Sequence, residues 1–236
     1  MATATQIAEF REQSQSLVIL AQRDLADFWA ALDLYRDPFM ARDSVSEFLP
    51  ELIAAYGNTE ALLAADFYDM LRDVPPSAAS FRAFMADPPN DAEQFHGTAS
   101  WAIGPLLGDE PDADGALSRL SGAINRLVMQ PNRETIVRSA AEDKHAAGWQ
   151  RSTRTGSCRF CRMLAGREGA VYKRESALVA AHDNCKCVAV PSWDPDAPEV
   201  PVYAYVASQT TSKMSPAQRE KHRARVRDYL DANIPK

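Results

Sequence analysis

The chain has 236 residues, 46% of them apolar and 25% charged, with a net charge of −6; these values fit a globular chain of one large or two small domains. No run approaches the roughly 20 apolar residues of a membrane span, and Met1–Ile7 lacks a basic stretch ahead of an apolar core, so neither a span nor a signal peptide is expected. The charge is uneven: residues 1–120 carry 20 acids and 7 bases, 151–187 carry 8 bases and 3 acids, and 213–236 carry 7 bases and 3 acids.

The front half reads helical. Ile7, Phe10, Leu17, Ala21, Leu25, Phe28 and Leu32 recur at steps of three and four, with Ser14 in the one polar slot, which predicts a long helix ending before Asp37-Pro38. A second helix is expected from there to Tyr56, stopped by Gly57. Asn58 is placed to cap a third, with Leu62, Leu63, Phe67, Met70 and Leu71 inward and Pro75-Pro76 as its breaker. Further helices are expected over about 91–104, 115–129 and 131–143. After Gly148 the pattern changes. Trp149–Arg154, Gly169–Tyr172 and Cys187–Val190 read as short strands, and the four prolines of 191–214 predict extended chain. Ser215-Pro-Ala-Gln218 is a capping box that opens a last helix bearing Arg219, Lys221, Arg223, Arg225 and Arg227. The expected architecture is mainly α: a helical N-terminal domain (1–147), a small α+β zinc-knuckle module (148–192), an extended linker (193–214) and a basic C-terminal helix (215–236).

All four cysteines fall within thirty residues, as Cys158-Arg-Phe-Cys161 and Cys185-Lys-Cys187, with His182 just ahead of the second pair. A Cys-x-x-Cys loop places two thiolates on one tetrahedral ion, and a cytoplasm keeps thiols reduced, so the spacing predicts a structural zinc site. Gly156 would open the first loop. A strand through Cys185 and Cys187 would put both side chains on one face. The ligands are Cys158, Cys161, Cys185 and either Cys187 or His182. Buried thiols, or disulfides formed once a particle leaves the cell, are the alternatives.

Several segments resemble the Mu F-like minor head proteins of tailed phages, most closely those of actinobacterial phages. They are Gln130-Pro-Asn-Arg-Glu-Thr-Ile136, Gly148-Trp-Gln-Arg151, Cys158-Arg-Phe-Cys161-Arg-Met-Leu-Ala165, Gly169-Ala-Val-Tyr172 and His182-Asp-Asn-Cys185-Lys-Cys187-Val-Ala-Val-Pro191. The helical stretch Leu17–Leu34 has a counterpart there too. Relatives often carry a second histidine where this chain has Asn184. The resemblance implies a head-morphogenesis protein of few copies, in contact with portal, with major capsid or scaffold protein, and with packaged DNA. It would reside inside the capsid or at the portal vertex, after assembly in the host cytoplasm. Members of the group are also often labelled capsid maturation proteases.

The residues themselves offer no catalytic set. There is no Gly-x-Ser-x-Gly elbow and no His-Glu-x-x-His, and of His96, His145, His182 and His222 only His182 stands near a nucleophile, Cys185. A cysteine grouped with three others reads as a ligand. A non-specific nucleic-acid-binding zinc module is a further reading. Arg151, Arg154, Arg159, Arg162, Arg167, Lys173 and Arg174 surround the first knuckle with Phe160 and Tyr172 between them, and Arg223 and Arg227 extend the basic surface.

Overall fold

The computed structural model describes residues 2–72, 80–154, 157, 159–165, 169–173, 182–200 and 213–233. The first long helix, α1 (Ala4–Ala30), starts at a capping box: Gln6 N–H donates to the Thr3 hydroxyl, and Thr3 N–H donates to the Gln6 side chain. Its buried stripe is Phe10, Ser14, Val18, Ala21, Leu25 and Trp29. Leu17 and Phe28 flank that stripe half-buried, and Leu32 lies past the helix end.

The expected break at Gly57 does not occur. A single 34-residue helix, α2 (Pro38–Leu71), runs through both Pro50 and Gly57. Asp37 caps it by accepting from Phe39 and Met40 N–H. Gly57 serves packing instead of termination, since a Cβ there would lie 3.0 Å from Pro88 Cβ and 3.3 Å from Pro131 Cγ. Because the helix continues in phase, its inner face at this end is Glu60, Ala61, Ala64, Ala65, Phe67, Tyr68 and Leu71. Leu62 and Met70, expected inside, are exposed.

Helix α2 lies against α1, α3 (Ala92–Ala102), α4 (Ala113–Val128) and α5 (Gln130–Glu142). Asp91 caps α3 and Asp112 caps α4, each by accepting from the first turn. A 3₁₀ turn, Gly104–Leu107, joins α3 to the loop ahead of α4. Met129 is at once the last cap of α4 and the first of α5, and Pro131 sits in the first turn of α5, where its missing N–H costs no bond. The two helices thus form an elbow. Phe10 stacks on Phe67 with ring centroids 4.0 Å apart, which locks α1 to α2. On the far side Arg72 and Asp143 form a buried ion pair with bonds of 2.7 and 3.0 Å, and Tyr68 and Trp193 donate to the same carboxylate.

The chain then forms strand β1 (Gly148–Ser152), helix α6 (Arg159–Ala165) and strand β2 (Val188–Ser192). The strands pair antiparallel, with Gly148 opposite Ser192 and Arg151 opposite Ala189. The expected strand at 169–172 is reduced to two isolated bridges: Trp149 and Tyr172 exchange backbone bonds of 3.0 and 2.9 Å and their rings stack, and Val171 bridges Glu199. Gly148 is required here. Its φ is +147°, and a Cβ would lie 2.4 Å from the Tyr172 carbonyl oxygen. Strand β2 is buried along its whole length and packs on α5, so Trp149, Val188, Ala189 and Val190 belong to the same apolar core as the helices.

Helix α7 (Pro216–Asn233) opens with the expected box, Gln218 N–H to the Ser215 hydroxyl and Ser215 N–H to the Gln218 side chain. Its described side chains are exposed or half-buried, and Glu220 pairs with Arg223 and Arg227. Among the described residues no helix is long and apolar enough to cross a membrane.

Candidate metal centre

Three cysteines converge. Cys161 is carried by α6, where the sequence suggested a loop, while Cys185 and Cys187 come from the segment entering β2. That segment is not yet strand at Cys185 or Cys187, but the alternation is strand-like: both cysteines are buried and Lys186 between them is exposed. The Cys161 and Cys185 sulfurs are 3.2 Å apart, and those of Cys185 and Cys187 are 3.0 Å apart. These separations are well beyond the about 2.05 Å of a disulfide. They approach the about 3.8 Å that tetrahedral zinc, with bonds of about 2.3 Å, imposes between its sulfurs. All three residues are at most 2% exposed. His182 is exposed, and one of its ring nitrogens lies with the Cys161 and Cys185 sulfurs inside a 4.8 Å group able to hold a metal ion. Its Nδ1 lies 2.6 Å from the Asp183 carbonyl oxygen, which leaves Nε2 for a ligand role.

The electrostatics favour a bound anion at one sulfur. Thiol hydrogen bonds from Cys161 and Cys185, then the charges of Arg133 and Arg151, hold Cys187 far below the ordinary thiol range against the opposing effect of burial. Cys161 is pushed up, first by its hydrogen bonding to Cys185 and Cys187 and then by burial. Cys185 also ends above the ordinary range. The bond with Cys161 lowers it, but the bond with Cys187 and burial outweigh that effect. A cation placed among the three sulfurs would displace their thiol protons, as metal–thiolate binding does.

The helical body grips this cluster through its backbone. Asn125 on α4 donates to the Cys185 carbonyl at 3.0 Å, and Arg133 on α5 donates to the same oxygen at 2.9 Å and to the Cys187 carbonyl at 3.2 Å. On the solvent side Arg126 pairs with Asp183 at 2.9 Å. Asn184 adopts φ 62°, a left-handed turn that asparagine tolerates better than most residues. Gly122 on α4 lets that turn approach, since a Cβ there would lie 2.9 Å from the Asn184 amide nitrogen.

Arg151 corrects the expectation of a basic knuckle surface around it. It is buried, and its guanidinium donates to the Cys187 sulfur at 2.8 Å. Arg154 and Lys173 are exposed, as that surface requires, while Arg162 is half-buried. Cys158, Gly156, Arg167 and Arg174 lie outside the described residues, as do the side chains of Arg159 and Phe160. Arg223 and Arg227 stand exposed on α7, and His96 and His145 are exposed. Sequence reasoning missed Asn125 and the inward role of Arg133. A signal did exist, since Arg133 and Arg151 both lie in segments that carry the phage resemblance.

No curated protein and no solved structure matches the chain. A family model does: it covers residues 1–212, taking in the helical body and the cysteine centre and stopping just short of α7, and by that match the chain belongs to the VG15 protein family.

Proposed function

We propose that this protein is a structural minor head protein of a tailed phage, and that its cysteine centre holds one zinc ion as a fold-forming cross-link. The observation that carries this reading is convergence. Segments of the Mu F-like resemblance far apart in sequence each supply a part of one buried centre: Arg133, Arg151, Cys161, and the Cys185–Cys187 pair. Bound zinc would draw α6 and the entry to β2 together, with Cys161, Cys185 and Cys187 or His182 as ligands and Cys158 as the sequence's remaining candidate. A closed set of protein ligands leaves no open position for substrate, which makes the role architectural. The partners on this reading are portal and capsid or scaffold protein.

The test has two parts. Protein from zinc-supplied cells is assayed for metal, with about one equivalent expected. Tagged protein is then co-expressed with its cognate portal, and co-purification is expected. Metal-free protein with reactive thiols would refute the zinc site. Normal assembly of infectious, DNA-filled heads without the protein would refute the head role. Site-specific cleavage of scaffold or capsid protein by the chain alone would transfer the reading to a maturation protease, with Cys185 and His182 as the first residues to test. Contact with packaged DNA is a second reading, favoured by the exposed Arg223 and Arg227 on α7. It requires retention on DNA that falls steeply with salt and is weakened by replacing both arginines.

A further inference from the structure

We infer that Arg151 is a positioning residue for a thiolate-rich metal centre: its guanidinium holds the Cys187 sulfur in the centre, so that Cys187, and not the exposed His182, joins Cys161 and Cys185 around the ion. The inference rests on the metal reading above and goes beyond it by deciding the ligand set and naming the group outside it that decides.

Arg151 is 6% exposed, and so large a cation is seldom buried unless an anion meets it. The strand dictates where it goes. Residues 149 and 151 share one face of β1 by the period of two, and that face looks into the core, where Trp149 stacks on Tyr172. From there the guanidinium reaches the Cys187 sulfur at 2.8 Å and comes within 4.0 Å of the Cys161 sulfur. Arg133 approaches the same loop from α5 and carries a second buried positive charge to the Cys185 and Cys187 carbonyls.

Charge counting then separates the two ligand sets. Each thiolate bound to a divalent ion adds one negative charge, whereas a neutral imidazole adds none. Three thiolates on a divalent ion leave one net negative charge, which the buried Arg151 guanidinium touching Cys187 offsets. Replacing Cys187 by His182 would remove that charge. It would also leave the Arg151 guanidinium against a sulfur no longer bound. His182 offers only Nε2, since its Nδ1 is engaged with the Asp183 carbonyl, and it is exposed where the three cysteines are buried. An N–H bond to a bound thiolate also stabilises its charge and fixes its direction, and loss of such outer partners typically weakens metal binding by about 10- to 100-fold.

The full-length protein is prepared as wild type, Arg151→Met, Arg151→Lys, Cys187→Ser and His182→Asn. Zinc affinity is measured by competition with a chromophoric chelator. Cobalt(II) is then substituted and the sulfur-to-metal charge-transfer absorption recorded. Arg151→Met is expected to lose about 10- to 100-fold in zinc affinity, with Arg151→Lys between it and wild type. Cys187→Ser should lower the charge-transfer intensity per cobalt, and His182→Asn should leave both readouts at wild-type values. The inference is overturned if His182→Asn weakens zinc and alters the cobalt spectrum as Cys187→Ser does, or if Arg151→Met binds like wild type. Should Arg151→Met fail to fold, Arg151→Lys decides: reduced affinity at unchanged helix content supports the role, and wild-type affinity overturns it. Failure of wild type to bind either metal is a separate result, and it removes the zinc reading and this inference together.

Discussion

Replacing Glu60 by glutamine should change how the stability of this protein depends on pH. Glu60 is fully buried on α2, accepting from the Ser14 hydroxyl at 2.9 Å and from the Asn132 amide at 2.8 Å. Burial pushes its carboxyl from 4.5 to about 7, although those two bonds and the nearby charge of Arg133 pull the other way. In the unfolded chain the carboxyl titrates near its ordinary value. Between the two values the folded protein keeps a proton that the unfolded chain has released, so this group's contribution to stability is full at low pH and is lost as pH rises toward 7. At about 1.4 kcal/mol per pH unit the whole gap is worth about 3.5 kcal/mol, of which about 2.5 kcal/mol falls between about pH 5 and about pH 8. Glu60→Gln has no proton to lose. Its amide has an acceptor waiting in the buried Asn132 Oδ1, which has no partner in the wild type. The stability of the variant relative to wild type should therefore rise by about 2.5 kcal/mol from about pH 5 to about pH 8. Urea unfolding of both proteins, followed by tryptophan fluorescence across that range, measures it, and contributions common to both, such as the thiols, cancel. A difference between the two proteins that stays flat with pH, or that falls as pH rises, would refute the reasoning.

Asp143→Asn leaves the buried Arg72 guanidinium without its anion and should cost about 3–5 kcal/mol in urea unfolding. Asp143 also gives an acid-side signature. Burial pushes its carboxyl up, but the bonds from Arg72, the His145 N–H and Trp193 hold it below the ordinary range, so its stabilisation is lost as pH falls through that depressed value, and the variant should lack that acid loss. Gly122→Leu forces side-chain atoms into the Asn184 turn and should cost about 1–3 kcal/mol, with faster reaction of the buried thiols toward an aromatic disulfide reagent. Gly57→Ala should also destabilise, by about 1 kcal/mol or more in thermal unfolding, although alanine favours helix, because its Cβ meets the rings of Pro88 and of Pro131 on α5.

The helices were legible because their signals are local. The capping box at Ser215 and the apolar stripe of α1 act within a few residues. Gly57 misled because glycine weakens a helix by about 1 kcal/mol, which local reasoning counts, whereas the contact with Pro88 and Pro131 that repays it is distant in sequence. The same distance hid the two arginines. A basic residue near a knuckle reads as solvated surface until a thiolate 36 positions away is seen at its tip, as for Arg151 and Cys187. Cysteine clustering exposed the centre itself, since that signal survives without any fold. Which donors complete it depends on tertiary placement, and spacing alone left Cys187 and His182 equivalent.

The Cys185 carbonyl, bonded at once by Asn125 and Arg133, also sets an order of events in folding. Both donors lie on the α4–α5 elbow and leave the ribosome more than fifty residues before Cys185 does. The elbow and its partner α2 are thus already synthesised when the cysteine loop emerges, and the loop has a finished surface on which to settle. Cys161 appears in between, too early to meet the other sulfurs. Until residue 185 is made, Arg133 has neither carbonyl to bind, and the helical body must hold that charge half-solvated. Closure of the loop thus brings body and centre together, and a nascent chain stalled before it would expose the β2 side of α5 as a sticky surface for chaperones.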